Sequence, residues 1–301
     1  MRKKFLRGKS IKIAALALFL CGLLMNGGCV TAKYHYEVRR DLGVYFTNAD
    51  SVIGTVRSAL VSNSSKITLT FRLDTDCMSD IPMTIRELMT FAVSETGDPR
   101  EGDYLYHRCG GYELEYSRDG EAYTVCIMPT YYTDTKQEEY VNKRVGEILG
   151  DLSVGNMSDP DKIRAVYDYV YENVNYDIVH KKNEHYHLKT TAYAALKNGC
   201  AVCGGYAGLM YRLLREAGIN ARIITGYADG EYHAWNIAEL DGLWYNIDVT
   251  WDKLTGTHDN YMKSDVTFSD THIRDEGFAG EEFYTDYPMS GSDIDYERNK
   301  L

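Results

Sequence analysis

Asp241-Gly242, set between the runs Glu231–Leu240 and Leu243–Asp252, constrains this chain more than any other pair of its residues. An Asp-Gly link between strand-like runs specifies a tight antiparallel hairpin, because the favoured two-residue turn needs positive φ at both central positions. The two runs therefore read as paired strands with Leu240 opposite Leu243. Counting outward places Trp235 opposite Asp248 and His233 opposite Thr250. Strand side chains alternate, so His233, Trp235 and Asp248 share one face. Asp248 then lies one diagonal step from His233, within reach of its imidazole. A register slip of one residue would send the two to opposite faces.

Upstream lies Gly199-Cys-Ala-Val-Cys-Gly-Gly-Tyr-Ala-Gly208. Beyond Cys203, apolar residues fall at Tyr206, Met210, Leu213, Leu214 and Ala217, which is helical spacing, and Gly218 is a C-terminal stop. Lys197-Asn-Gly199 is turn chemistry. Cys203 thus sits at a helix start, where unpaired amides and the macrodipole favour thiolate over thiol. Gly204 and Gly205 are expected to leave the backbone bare beside the sulfur, open to a substrate carbonyl. A free cysteine alone is commonly a buried structural residue, and a lone strand histidine is commonly core or surface. A thiol at a helix start beside a same-face His/Asp pair is a different matter: it supplies attacker, base and orienter.

Three segments, Gly199–Ala207, Tyr232–Ile237 and Trp244-Tyr-Asn-Ile-Asp-Val-Thr-Trp-Asp252, resemble the bacterial branch of the transglutaminase-like superfamily. The resemblance runs from about Asp159 to Asp252 and more loosely to about residue 275. It implies an α+β fold with a papain-like core, a helix carrying the cysteine packed on an antiparallel sheet carrying histidine and aspartate. It also implies Cys203 as nucleophile, rather than Cys200, with His233 as base and Asp248 as orienter. Asn198 lies near where papain-like enzymes carry a second oxyanion donor, and Gly204 and Trp235 are substrate-site candidates. Activities in the family include transamidation, peptide hydrolysis and amide hydrolysis on glycoproteins, and some members have lost activity. The expected function is acyl transfer at an amide or peptide bond; a binding or scaffold protein on the same fold is the alternative.

The N-terminus bounds the setting. Residues 2–12 carry six Lys/Arg, and Ile13–Met25 is an almost unbroken apolar run, which reads as an export signal too short for a confident membrane span. Asn26-Gly-Gly-Cys29 follows and resembles a lipoprotein processing box, although Asn26 stands where that box usually has leucine. The expectation is an exported lipoprotein, membrane-anchored through Cys29, acting on peptide, protein or cell-wall amides. None of the 44 acidic residues precedes Cys29, whereas six of the 33 basic ones do, which leaves the body at net −17. Such a body makes no phosphate footprint for nucleic acid.

Beyond Cys21 and Cys29 the thiols are Cys77, Cys109, Cys126, Cys200 and Cys203, an odd number that leaves at least one unpaired. Cys200-Ala-Val-Cys203 is a C-x-x-C, so a redox dithiol is a third reading. It leaves His233 and Asp248 unexplained. No second C-x-x-C is present, His180, His185 and His187 match no tight zinc template, and no metal or cofactor is expected.

Four segments are expected: leader 1–29, an accessory α+β domain over 30–135, the transglutaminase-like domain over 136–276, and a loosely ordered acidic tail over 277–301. In the accessory domain, helices are expected over 48–62 and 79–94, a strand over 66–73, and strands over 103–132 with a turn at Asp119-Gly120. Helices over 137–152 and after Ser158 should pack under the Cys203 helix.

Overall fold

A computed structural model describes residues 46, 48–73 and 76–297. The leader, with Cys29, lies outside the described residues. In chain order the elements are α1 (Ala49–Val61), β1 (Ile67–Arg72), α2 (Ile81–Ala92), α3 (Gly102–Arg108), β2 (Cys109–Asp119), β3 (Ala122–Tyr131), α4 (Thr135–Asp151), α5 (Asp159–Asn173), β4 (Asn175–Tyr176), α6 (Ala192–Asn198), β5 (Cys200–Ala201), α7 (Cys203–Glu216), β6 (Ala221–Ala228), β7 (Glu231–Leu240), β8 (Leu243–Ile247), α8 (Val249–Thr255), α9 (Asp265–Phe268), β9 (His272–Arg274) and α10 (Glu281–Asp286). They form an α+β chain of two compact units. Residues up to Thr96 and Cys109–Tyr131 make the first, and Gly97–Arg108 with everything from Tyr132 make the second.

In the first unit, β1, β3 and β2 make an antiparallel sheet in that order. Asp119 pairs with Ala122 around Gly120, whose φ of 63° suits the turn. Asn48 caps α1 by accepting the Ser51 N–H. Arg57 then donates to the Phe91 and Ala92 carbonyls, satisfying the open end of α2.

Residues 102–108 are helix where strand was expected, and they group with the second unit. Gly102 turns the chain at φ 59°, Asp103 occupies the first turn, and His107 and Arg108 the last, the charge order a helix dipole favours. Asp103 is buried and accepts a bidentate pair from Arg222 at 2.7 and 3.0 Å, together with the Ile223 N–H at 2.7 Å. Burial alone would raise the Asp103 carboxyl, but the Arg222 charge and bonds outweigh it and hold it below the usual range.

The main sheet of the second unit runs β8-β7-β6-β9, antiparallel throughout. The hairpin has the expected register: Leu240 pairs with Leu243 and Asn236 with Ile247, around Asp241 and Gly242 at φ 53° and 80°. Its second strand is shorter than expected. β8 stops at Ile247 because the Asp248 side chain accepts the Trp251 N–H at 3.0 Å and starts α8. Thr250 is therefore helical and does not face His233 across a strand.

α7 lies against β6 and β7, with α4, α5 and α6 around it. All ten residues from Gly205 to Leu214 are buried, so this helix is a central core element rather than an amphipathic surface one. Val145, Ile148, Val166, Val170, Leu209, Leu213, Ile223 and Ala238 join in one core with it. Full burial of each large aliphatic side chain contributes about 1.5–3 kcal/mol.

The tail differs from expectation. Phe283 packs with Trp244, Tyr287 is edge-on to Trp244 at 5.0 Å, and Asp293 accepts the Ser264 N–H and the Thr267 hydroxyl. Farther on, the Tyr296 ring stacks on His258 at 3.7 Å. Aromatic anchors fix a segment that its acidic composition marked as loose. Among the described residues no helix is long and apolar enough to cross a membrane.

Candidate active site

Cys203 opens α7, following Val202 in extended conformation. The position is set by close packing. A Cβ on Gly205 would lie 2.5 Å from the Ala201 Cβ and 3.0 Å from the Thr191 carbonyl, so only glycine lets this turn approach. Gly204 serves the same contact: a Cβ there would meet the Thr190 Cβ at 3.2 Å. Its bare backbone admits the 189–191 segment on that side. The Val202 N–H donates to the Lys189 carbonyl at 3.0 Å. Lys189, itself buried, donates its ammonium to the His180, Lys181 and Asn183 carbonyls and so holds the loop that leads to Thr190.

His233 reaches the site from β7 and lies beside Cys203 on one side. On the other, its Nε2–H donates to Asp248 Oδ2 at 2.7 Å. The two strands bring these residues together by the diagonal that the turn dictated. Asp248 is fully buried, with Oδ1 taken by the Trp251 amide. Burial pulls the His233 imidazole down, but the Asp248 charge, its hydrogen bond and the contact with Cys203 prevail and raise it to about 10. For Asp248, burial pushes upward; the His233 charge and the bonds from His233 and His272 overcome it, leaving the carboxyl far below its ordinary value. A cysteine sulfur beside an imidazole that a buried carboxylate orients is an arrangement suited to nucleophilic attack and proton return.

Asn236, three residues past His233, registers the sheet against the helix. Its buried amide donates to the Ala207 carbonyl of α7 at 3.1 Å and to the Arg222 carbonyl at 3.2 Å. Trp235 is core rather than substrate wall: it is buried, its indole N–H donates to Asn246 Oδ1, and it packs with Ile224, Ile237 and Phe268. Trp251 lies edge-on to His233 at 5.8 Å. Asn198 is exposed at the end of α6, and no hydrogen bond among the described residues joins it to Cys203, His233 or Asp248.

Two neighbours were missed in the sequence. Tyr176 pairs with Ala201 in the short β4–β5 ladder, and its phenol is raised by burial and by the nearby Cys203, Glu231 and Asp248. His272, on β9, places Nε2 at 3.0 Å from Asp248 Oδ2. Only the tyrosine had a local cue, the Asn175-Tyr176-Asp177 run that follows α5. The ligand atoms of His233, Asp248 and His272 lie within 4.8 Å of one another, close enough to share a divalent ion; the two imidazoles already use that space to hydrogen-bond one carboxylate oxygen. His180 instead pairs with Asp177 at 2.9 Å, and Cys200 lies near Asp177. Burial, and then the Asp177 charge, raise the Cys200 thiol. Among the described residues, Cys77, Cys126, Cys200 and Cys203 are free thiols.

The stretch that holds these residues is similar to known proteins. Residues 147–249 match the family model of the Transglutaminase-like superfamily. The kyphoscoliosis peptidase of Mus musculus is 30% identical over 125 residues, 37% of this chain, and that of Homo sapiens is 30% identical over 119 residues, 35% of this chain. In each case the match spans 18% of the relative's length. A crystal structure of a TGase superposes with a TM-score of 0.33 at 17% identity, over 62% of this chain and 50% of that one. Residues 147–249 of this chain are thus a domain of the Transglutaminase-like superfamily.

Proposed function

We propose that this chain is an exported cysteine enzyme that transfers acyl groups at amide or peptide bonds, with Cys203 as nucleophile, His233 as acid and base, and Asp248 as orienter. The observation that carries the reading is the continuous path from the thiol at the start of α7, through His233, to the buried carboxylate. With Nε2 committed to Asp248, His233 turns Nδ1 toward the sulfur. The proton drawn from Cys203 rests on that nitrogen, and the thiolate attacks the substrate carbonyl carbon. The tetrahedral oxyanion takes the Cys203 backbone N–H, one of the unsatisfied donors of a helix start. As the C–N bond breaks, His233 returns the proton to the departing amine and a thioester remains. Water or an amine, deprotonated by His233, then attacks the thioester and releases the thiol.

The basic and apolar leader ending at Asn26-Gly-Gly-Cys29 supports export and lipid attachment at Cys29. Peptides, proteins or cell-wall amides are the substrates such a location offers. The test is iodoacetamide labelling of Cys203 against pH, in the wild type and in His233→Ala, followed by mass detection of an acyl-enzyme with peptide and amine acceptors. Rapid labelling at about pH 5 that His233→Ala abolishes is the expected result. Labelling that tracks an ordinary thiol and ignores His233 would make this chain a binding protein on an enzyme's fold.

A further inference from the structure

His272 is a buried imidazole that the acyl-transfer chemistry leaves without a role. Its side chain is 1% exposed. Nε2 lies 3.0 Å from Asp248 Oδ2, and Nδ1 lies 2.8 Å from Thr271 Oγ1. Phe268 stacks on the ring at 3.8 Å, and Trp251 and Trp235 meet it edge-on at 4.9 and 5.2 Å. A ring held on its face, its edges and both nitrogens has one orientation.

That orientation matters because of what Asp248 must do. A carboxylate turns readily about its Cβ–Cγ bond, and one bond to His233 would not fix it. Here Oδ1 takes the Trp251 amide, and Oδ2 takes N–H donors from two strands, β7 and β9. Three donors leave the carboxylate a single rotamer, the one aimed at His233. They also meet the hydrogen-bonding needs of a charge that water does not reach, without which burial would favour the protonated acid. Asp248 and His233 are the titratable groups in contact with His272.

We propose that His272 is a positioning residue: with its proton on Nε2, it donates to Asp248 and holds that carboxylate charged and aimed, so that His233 stays turned toward Cys203. The proposal rests on the reading of Cys203, His233 and Asp248 as the catalytic set. His272 itself touches no reacting atom.

The experiment measures iodoacetamide labelling of Cys203 from about pH 5 to 9 in the wild type, His233→Ala, His272→Phe and His272→Gln, with thermal stability read in parallel. His272→Phe keeps the stacked ring and removes the donor; it should label about tenfold more slowly at acid pH, the scale of one lost charge-assisted hydrogen bond, with its profile moved upward. His272→Gln, whose amide N–H can reach the same oxygen, should recover the acid limb. If His233→Ala slows labelling but His272→Phe keeps the wild-type profile, His272 is packing alone and the proposal falls. If His233→Ala has no effect, the acyl-transfer reading falls first. Should His272→Phe fail to fold, nitrogen NMR of the wild-type imidazoles decides: a protonated Nε2 on His272 is required, and a bare one overturns the assignment.

Discussion

The carboxylate of Asp248 accepts the backbone N–H of Trp251 at 3.0 Å, so the group that faces His233 is also the N-cap of the helix Val249–Thr255. Substitutions should separate the two duties. Asn caps as well as Asp does, so Asp248→Asn should keep the cap of this helix while losing the ion pair with His233, and acyl transfer should drop by about 10⁴-fold, the scale seen when a triad carboxylate becomes an amide. Asp248→Ala should lose as much activity and a further ~0.5–2 kcal/mol of stability from the missing cap. Urea unfolding and thioester accumulation, measured on both variants, check this.

The pH dependence of stability has a definite sign. The His233 imidazole is raised from 6.5 to about 10, so its contribution is fully present below about pH 6.5 and is lost as pH climbs through about 10. The Asp248 carboxyl is lowered, so its contribution is present above 3.8 and is lost on strong acidification. The stability gap between the wild type and His233→Ala should therefore be widest between about pH 4 and 6.5 and narrow steadily toward pH 10. A gap that stays constant over that alkaline range would contradict the pairing.

Gly226 pairs with both His233 and Arg274 across the sheet. A Cβ there would fall 2.1 Å from the Ile273 carbonyl oxygen and 2.9 Å from the Arg274 Cα. Backbone, not a flexible side chain, is in the way, so Gly226→Ala must push β9 outward. The expected outcome is a loss of about 1–3 kcal/mol, as for other overpacked sites, together with slower labelling of Cys203. Wild-type stability and labelling in this variant would refute the close approach.

Asp103 and Arg222 form a buried bidentate pair tying α3 to β6. Asp103→Ala takes away the carboxylate that Arg222 pairs with and should cost about 3–5 kcal/mol. Replacing both partners by apolar residues of similar size should cost much less, since the charge goes with them. A double-mutant cycle by urea unfolding measures the difference.

What could be read from the sequence was what local chemistry decides. Asp241-Gly242 set the hairpin register, and the spacing from Tyr206 to Ala217 set the Cys203 helix. The places that could not be read have physical reasons. The end of β8 was missed because Asp248 satisfies a strand pattern and a capping pattern at once, and the bond to Trp251 decides for the cap. The seven residues of α3 are too few to show a helical period. His272 comes 24 residues after Asp248 and reaches it only through the pairing of β9 with β6. The tail misled through its average polarity, since Phe283, Tyr287 and Tyr296 carry its packing. Trp235 has protein for neighbours, Phe268 and Asn246, so its place in the core could not be read from its distance to His233 along the strand.

The family match stops at residue 249, yet the sheet that holds His233 is completed by β9, at His272–Arg274. A recombinant fragment trimmed to the matched stretch would keep Cys203, His233 and Asp248 and still omit the strand that closes over the carboxylate. It would also omit Trp251, whose amide fills the other oxygen, and the aromatic tail that seals Trp244. Water would then solvate Asp248 in their place. The boundary of the folded site is set by what keeps that carboxylate dry, and it falls downstream of residue 249, where the family model ends.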